Sequence, residues 1–314
     1  MSEIKVEEES NPIEIENNSN KYASSYFISS IQAPVIIYGN NKYMIKGGFW
    51  DGRIEINSLA NGPKEEPLST CIFQNVGPIT VMAMSKNEHF LLCGTKLGVI
   101  LAFQVYDKNL ELKQKIFSHS EEITSISIND TLNMFATASK DGYIMIHIMP
   151  SLEVVRAIKV KVTNKKPDEN INNIYANNIF LSNTPIPVVT IFISQLKLFK
   201  SYSINGLEIN EQEEEDYTKY INCFCIYNNV DFQDFLIYGT DDGLVKIRKF
   251  PEMDFINGIN PFDGEPIEAL TVSQDKRYCF VWGKDNQIGL IKDNNLINDE
   301  HSSENFARLG YIKK

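Results

Sequence analysis

Phe135-Ala-Thr-Ala-Ser-Lys-Asp-Gly-Tyr-Ile-Met-Ile-His147 reads as a strand, a tight turn at Asp141-Gly142, and a second strand. Gly142 can take the positive φ that such a turn asks for, and the Asp141 carboxylate can fold back onto the local backbone. After the turn, Ile144 and Ile146 alternate with Met145 and His147, so one face of the strand is more apolar than the other. Upstream, Ile123, Ile126 and Ile128 supply a third strand, its first residue 19 before Gly142.

The same unit recurs along the chain. Ile79, Met82 and Met84 stand at that offset before Gly98, and Ile267, Leu270 and Val272 before Asn286. Ala33, Ile36 and Tyr38 do so before Gly52, while Ile221, Phe224 and Ile226 precede Gly243 by slightly more, stretched by an Asp-rich loop at Asp231 to Asp234. The turns are Asp51-Gly52, Leu97-Gly98, Asp141-Gly142, Asp242-Gly243 and Asp285-Asn286. Their spacing is in the mid-forties, except for one gap of about two periods that should hide a degenerate copy. Such a period, with three or four strands per unit, predicts an all-β propeller of six or seven four-stranded blades. The copies fall near 33–58, 77–117, 118–160, 171–212, 220–257 and 265–292. In the degenerate fourth, Ser194-Gln195 and Asn205-Gly206 supply the turns. A seventh blade would need Tyr26 to Ile28 to pair with Phe306 to Ile312, closing a ring whose sheet edges would otherwise stay open.

The expected organisation is an acidic, disordered segment over 1–22, the propeller over 23–295, and a polar tail or ring-closing strand over 296–314. Net charge is −11, with six Glu against one Lys in residues 1–20 and six acids without a base between Glu208 and Asp216. A phosphate backbone needs a basic surface to neutralise it, so nucleic acid is disfavoured as a partner. The stretch Glu211 to Asp216 reads as a solvated insertion or a dock for a basic partner. The five cysteines, Cys71, Cys93, Cys223, Cys225 and Cys279, show no CxxC spacing and read as reduced, mostly buried thiols. No apolar run approaches the length of a membrane span, and the polar, acidic start is unlike a secretory or mitochondrial leader. The expectation is a cytoplasmic, monomeric module, peripheral to endomembranes at most through its partners.

No set of residues has the spacing of a catalytic constellation. His89, His119, His147 and His301 are scattered, and only His119 and His147 share a copy, where packing or capping is the plainer role than metal binding. Cys223 and Cys225 share a strand face but are too few for a structural zinc. Asp51, Asp141, Asp242 and Asp285 belong to different copies, so turn chemistry explains them better than a shared calcium ion. No cofactor is expected. Phe49 and Trp50 lie in a turn, where Trp50 is expected to pack between blades, the alternative being an exposed anchor for a partner. Lys140 and Asp241, just before turn acids, should face solvent and could tune a binding face.

The string FSHSEEITSISINDTLNMFATASKDGYIMIH, residues 117–147, resembles a WD repeat. The resemblance implies a hydrogen-bonded network in which His119, Thr137 and Asp141 take the family's His, hydroxyl and turn-aspartate positions. His147 stands where that family usually carries Trp, a departure, and the matching positions in copies one and five are Asn57 and Arg248. More narrowly, Lys46 to Leu59, Gly77 to Ser85 and Tyr202 to Ile209 resemble the C-terminal propeller of BEACH-domain proteins of the beige and neurobeachin type. The quartets Gly48-Phe-Trp-Asp51 and Ser203-Ile-Asn-Gly206 carry that likeness, although no BEACH domain precedes them in this chain.

The resemblance implies a non-catalytic protein-interaction scaffold of vesicle or lysosomal trafficking or autophagy, with protein partners that include a BEACH-domain module in cis or in trans. The alternative is another WD-repeat adaptor, in a ciliary, ubiquitin-ligase or RNA-processing complex. A more remote one is a metal-dependent propeller hydrolase. It would need carboxylate, Asn and His ligands along the channel, where the first strand of each copy offers mostly apolar, Ser, Thr and Ala residues.

Overall fold

The computed structural model describes residues 34–59, 66–161, 174–182, 186–213, 221–228, 234–250, 252–272, 278–284, 287–292 and 306–311. Their strands form six separate four-stranded antiparallel sheets, each a simple meander taken in chain order, arranged as the blades of a β-propeller. Blade 1 comprises β1 (Val35–Tyr38), β2 (Tyr43–Lys46), β3 (Ile54–Ser58) and β4 (Ser69–Cys71). Blade 2 comprises β5 (Ile79–Met84), β6 (Phe90–Thr95), β7 (Val99–Tyr106) and β8 (Asn109–Phe117). Blade 3 comprises β9 (Ile123–Asn129), β10 (Met134–Ser139), β11 (Tyr143–Ile148) and β12 (Val154–Lys159). Blade 4 comprises β13 (Asn178–Ser182), β14 (Val188–Ile193), β15 (Leu198–Ser203) and β16 (Glu208–Glu213). Blade 5 comprises β17 (Ile221–Asn228), β18 (Asp234–Thr240), β19 (Val245–Phe250) and β20 (Phe255–Ile259). Blade 6 comprises β21 (Ile267–Val272), β22 (Tyr278–Gly283), β23 (Gln287–Lys292) and β24 (Phe306–Tyr311).

Six blades, rather than seven, account for the described strands. Phe306–Tyr311, a candidate for closing a seventh blade, instead pairs with β23 through Ile291↔Phe306 and Gln287↔Tyr311 as the outer strand of blade 6. The expected disordered segment 1–22, Tyr26 to Ile28, His301 and the turn residues Asp285 and Asn286 lie outside the described residues.

Blade 4 shows why its copy is hard to recognise. Its second and third strands are joined by a short 3-10 turn over Ser194–Leu196, after which Lys197 takes φ 51°, the left-handed conformation that glycine supplies elsewhere. The turn geometry survives without its glycine signature.

First strands lie beside first strands of the neighbouring blades, as β5 does with β9 and β17 with β21. Each neighbouring pair from blades 1–2 to 5–6 shares a buried apolar cluster. A recurring lock holds these interfaces. A Cβ on Gly94 of β6 would come within 2.7 Å of Ile123 Cγ2, and one on Gly239 of β18 within 2.4 Å of Ile267 Cγ2. The first isoleucine of the incoming blade therefore occupies the space that a side chain on the previous blade's second strand would need. Ile123 and Ile267 are completely buried, each contributing roughly 1.5–3 kcal/mol of apolar transfer.

Candidate functional site

In a four-stranded meander the turns between second and third strands share one end of the blade with the connections to the next blade. The other two turns of each blade lie at the opposite end. The first end therefore gathers residues 47–53, 72–78, 96–98, 118–122 and 140–142 into a row across blades 1 to 3. The turn glycines knit this row together. Gly52, Gly98, Gly142 and Gly243 have φ of 74°, 78°, 79° and 82°, and the connection to the next blade passes over each of them. A Cβ on Gly98 would lie 2.6 Å from the His119 carbonyl oxygen, and one on Gly52 2.8 Å from that of Gly77. Backbone conformation and space thus both demand glycine.

The turn acids do local work. Asp51 Oδ1 accepts from the Arg53 amide at 3.2 Å, and Asp141 Oδ1 from the Tyr143 amide at 2.9 Å. Asp242 instead accepts a hydrogen bond from the Thr240 hydroxyl. The second oxygen of Asp51 accepts from Arg53 Nη1 at 3.3 Å, whereas that of Asp141 takes the Ser120 amide at 3.1 Å and His119 Nδ1 at 2.9 Å. His119 Nε2 in turn lies 2.9 Å from Thr137 Oγ1. Burial lowers the His119 pKa against the opposing pull of Asp141, so the ring is neutral near pH 7. A carboxylate can only accept, which fixes Nδ1–H as the donor to Asp141 and Nε2 as the acceptor of the Thr137 hydroxyl. His119, Thr137 and Asp141 are thereby joined across a connection, a strand and a turn.

His147, in the slot of the departed Trp, lies flat on Phe135 with ring centroids 4.4 Å apart and planes 4° from parallel. Its Nδ1–H donates to the Leu152 carbonyl at 3.1 Å, leaving Nε2 a buried acceptor without a partner. Burial depresses its pKa to about 4, against the opposing effect of the Leu152 hydrogen bond. Blade 5 repeats the device with different chemistry. Arg248 Nη1 donates to the Met253 carbonyl at 3.0 Å, and its Nε to Tyr238 Oη at 2.9 Å. Leu152 and Met253 are both left-handed, with φ of 63° and 68°. The side chain five residues after the turn glycine thus fastens the turn into the fourth strand. The signal for this link is the five-residue spacing shared by His147–Leu152 and Arg248–Met253, which the strand pattern alone does not single out. Asn57, in the same slot of blade 1, has a buried Nδ2 without a partner.

Around this framework the same end exposes apolar side chains. Trp50 is 85% exposed, which overturns the expectation that it packs between blades. Phe49 beside it is half-buried under the Arg53 guanidinium, 4.1 Å from the ring centroid, and Arg53 pairs with Asp51 and Glu55. Ile72, Leu97 and Phe117 follow along the row, Phe117 being 76% exposed. An open depression of about 380 Å³ lies between blades 2 and 3, lined by Phe117, Ser118, His119, Asp141, Tyr143 and Met145 among others. A smaller one of about 190 Å³ lies at the same end between blades 4 and 5, beside Asn177, Ser194 and Asn222. Lys140, expected to face solvent, keeps its side chain 39% exposed and is ion-paired with Glu122 at 2.9 Å. Asp241 is half-buried in its turn. The structure thus places Phe49 and Trp50 of blade 1 and Lys140 of blade 3 at the same end of their blades, with Asp241 at that end of blade 5.

Among the described residues no group of three or more His, Cys, Asp or Glu side chains converges as a metal site. Among them, too, no helix is long and apolar enough to cross a membrane. Residues 110–147 match the family model described as WD domain, G-beta repeat. The match runs from the outer strand of blade 2 to His147 and so contains the whole His119–Thr137–Asp141 network. With six four-stranded blades around it, this repeat supports a propeller of the WD-repeat type.

Proposed function

We propose that this propeller is a non-catalytic protein-interaction scaffold that engages its partners through the end bearing Trp50, Leu97 and Phe117. The observation that carries the reading is that row of exposed apolar side chains, mounted on turns which glycine packing and the Asp141 network hold still. Rigid mounting lowers the ordering cost of binding, and large exposed aromatics are the side chains that anchor interfaces. We further propose a BEACH-type scaffold acting in vesicle or lysosomal trafficking or autophagy, working with a BEACH-domain module in cis or in trans. Its support is the sequence likeness at Gly48 to Asp51 and Ser203 to Gly206. The first quartet forms the exposed Trp50 turn, and the second forms the turn between β15 and β16 at the opposite end.

The test is quantitative recovery of associated proteins by wild-type chain and by the double variant Trp50→Ala, Phe117→Ala. Both side chains are exposed, so stability should move by no more than about 0.5 kcal/mol. Recovery of specific partners should fall by roughly thirtyfold, the loss of an interface anchor worth about 2 kcal/mol. Unchanged recovery would move the interaction away from this end. Vesicle-coat, lysosomal or BEACH-domain proteins among the lost partners favour the trafficking reading. Axonemal, ligase or RNA-processing subunits favour a different WD-repeat adaptor.

A further inference from the structure

Three seams between blades carry the same stitch. The Thr80 hydroxyl of β5 donates to the Ile123 carbonyl at 2.7 Å, and the Thr124 hydroxyl of β9 to the Ala176 carbonyl at 2.6 Å. Asn222 Nδ2 of β17 donates to the Ile267 carbonyl at 3.0 Å. Each bond crosses from one blade to the start of the next. Asn177 holds the matching place in blade 4, one residue before the partner of Phe192 as Thr80 is one before the partner of Gly94. Its side chain turns back instead, Oδ1 accepting from the Ser194 amide at 2.8 Å and the Ser194 hydroxyl at 2.7 Å. The steric lock fails at the same seam. Phe192 pairs with Asn178 as Gly94 pairs with Val81 and Gly239 with Cys223, so a ring fills the place that glycine leaves open elsewhere. That ring meets Phe224 of blade 5 edge to face, with centroids 6.0 Å apart. Ile221 is left half-buried, where Ile123 and Ile267 are completely covered. A ring and an isoleucine cannot share space that elsewhere holds the isoleucine alone. The depression of about 190 Å³ lies at this parted seam.

We propose that this depression is a binding site for an uncharged carboxamide, the end of a glutamine or asparagine side chain presented by a protein partner. Its lining contains no Lys, Arg, His, Asp or Glu. Burial raises the pKa of the Cys223 thiol, which therefore stays neutral as well. A charged group entering here would shed water without meeting a counter-charge. Among the described residues, neither Asn177 Nδ2 nor the Asn178 carboxamide makes a hydrogen bond, so the site offers an occupant both donors and an acceptor. Phe192 and Phe224 supply apolar ring surface beside them. A flat carboxamide suits both features, its edge pairing with an asparagine amide while its face lies against a ring. A depression of this size admits one side chain. The site belongs to blades 4 and 5 and stands apart from the apolar row on blades 1 to 3.

The experiment titrates the full, isotope-labelled chain with N-acetyl-glutamine N-methylamide and follows the side-chain amide resonances of Asn177, Asn178 and Asn222. Saturable shifts at these three residues are expected, with a millimolar Kd, as befits a ligand of about fourteen non-hydrogen atoms. The capped glutamate analogue has the same shape with a charge, and capped leucine has similar bulk without hydrogen-bonding groups. Each should bind about tenfold more weakly than the glutamine probe. Asn178→Ala removes a side chain that has no hydrogen bond to lose, so the chain should keep its unfolding midpoint while its affinity for the glutamine probe falls about tenfold. The comparison of the three probes on the wild-type chain needs no variant and decides the matter even if Asn178→Ala does not fold. Equal affinity for the three probes, shifts confined to other residues, or no shift at all would overturn the proposal. So would a folded Asn178→Ala that binds the glutamine probe as tightly as wild type.

Discussion

In blade 3 the buried polar side chains are neutral. His119 passes a hydrogen bond from Thr137 to a single turn carboxylate at the blade's rim. In blade 4 the corresponding interior holds a full charge. Lys200 on β15 is completely buried, its ammonium donating to the Lys161 carbonyl at 2.7 Å and to Glu211 at 2.6 Å, with Glu208 at 2.9 Å. Thr190 and Ser201 pair their hydroxyls nearby at 2.9 Å. The two blades share a strand plan and differ in what polar burial costs. A neutral relay loses little by leaving water once its hydrogen bonds are made, whereas a buried ammonium is tolerable only while its carboxylates stay in place. The lesson is that the propeller specifies backbone geometry tightly and interior chemistry loosely.

The largest effect should come from stripping blade 4 of its counter-charges. Glu208→Ala with Glu211→Ala leaves an uncompensated ammonium and should destabilise the chain by about 3–5 kcal/mol in urea unfolding. A loss below about 1 kcal/mol would mean that water reaches Lys200 and the contrast between the blades collapses.

Acid should instead find blade 3. In the folded chain His147 titrates near pH 4, against about 6.5 when unfolded, so between those values the unfolded state binds more protons. Stability is therefore complete above about pH 6.5 and falls as the pH drops towards 4, with about 3 kcal/mol from this residue lost by then. His119, also depressed by burial, acts with the same sign. His147→Phe keeps a ring for Phe135 to stack on and should flatten the pH dependence measured as urea midpoints. An unchanged slope would remove His147 as its source.

Asp141→Ala should cost about 2 kcal/mol. It orphans His119 Nδ1–H, while the Ser120 and Tyr143 amides can turn to water. The smallest effect belongs to Lys200→Met, which removes the charge but keeps the buried stem, and should cost less than about 1.5 kcal/mol. If it costs as much as the double glutamate variant, the cluster contributes net attraction and blade 4 resembles blade 3 after all.

These differences explain what could be read in the chain beforehand. Asp-Gly turns advertise themselves because positive φ selects glycine, so the blades bearing Gly52, Gly98, Gly142 and Gly243 were legible from spacing. Lys197 takes the same conformation without that signature, and blade 4 could be placed only as a gap of two periods. The fourth strand of blade 6 follows β23 only after residues 293–305, too far for any local hairpin signal. Within blade 3, His119, Thr137 and Asp141 stood out because their residue types and separations repeat a known pattern. Lys200 did not, since a lysine in an alternating strand reads as solvent-facing. Its burial depends on the register Lys200↔Glu211 and on the Lys161 carbonyl from beyond β12, neither of which a single strand encodes. Trp50 inverted the usual rule, a large aromatic left in water where local sequence suggested packing.

The isoleucines lodged against Gly94 and Gly239 bear on how such a chain can be rearranged. A blade cut out at its sequence boundaries would carry its own first isoleucine but leave behind the glycine that makes room for it. A chimera would then set that isoleucine against whatever residue the new neighbour offers, and any Cβ there collides. The interchangeable part is the junction between two blades, so duplication, deletion or grafting should succeed when the breakpoints fall inside a blade and preserve each glycine with its isoleucine.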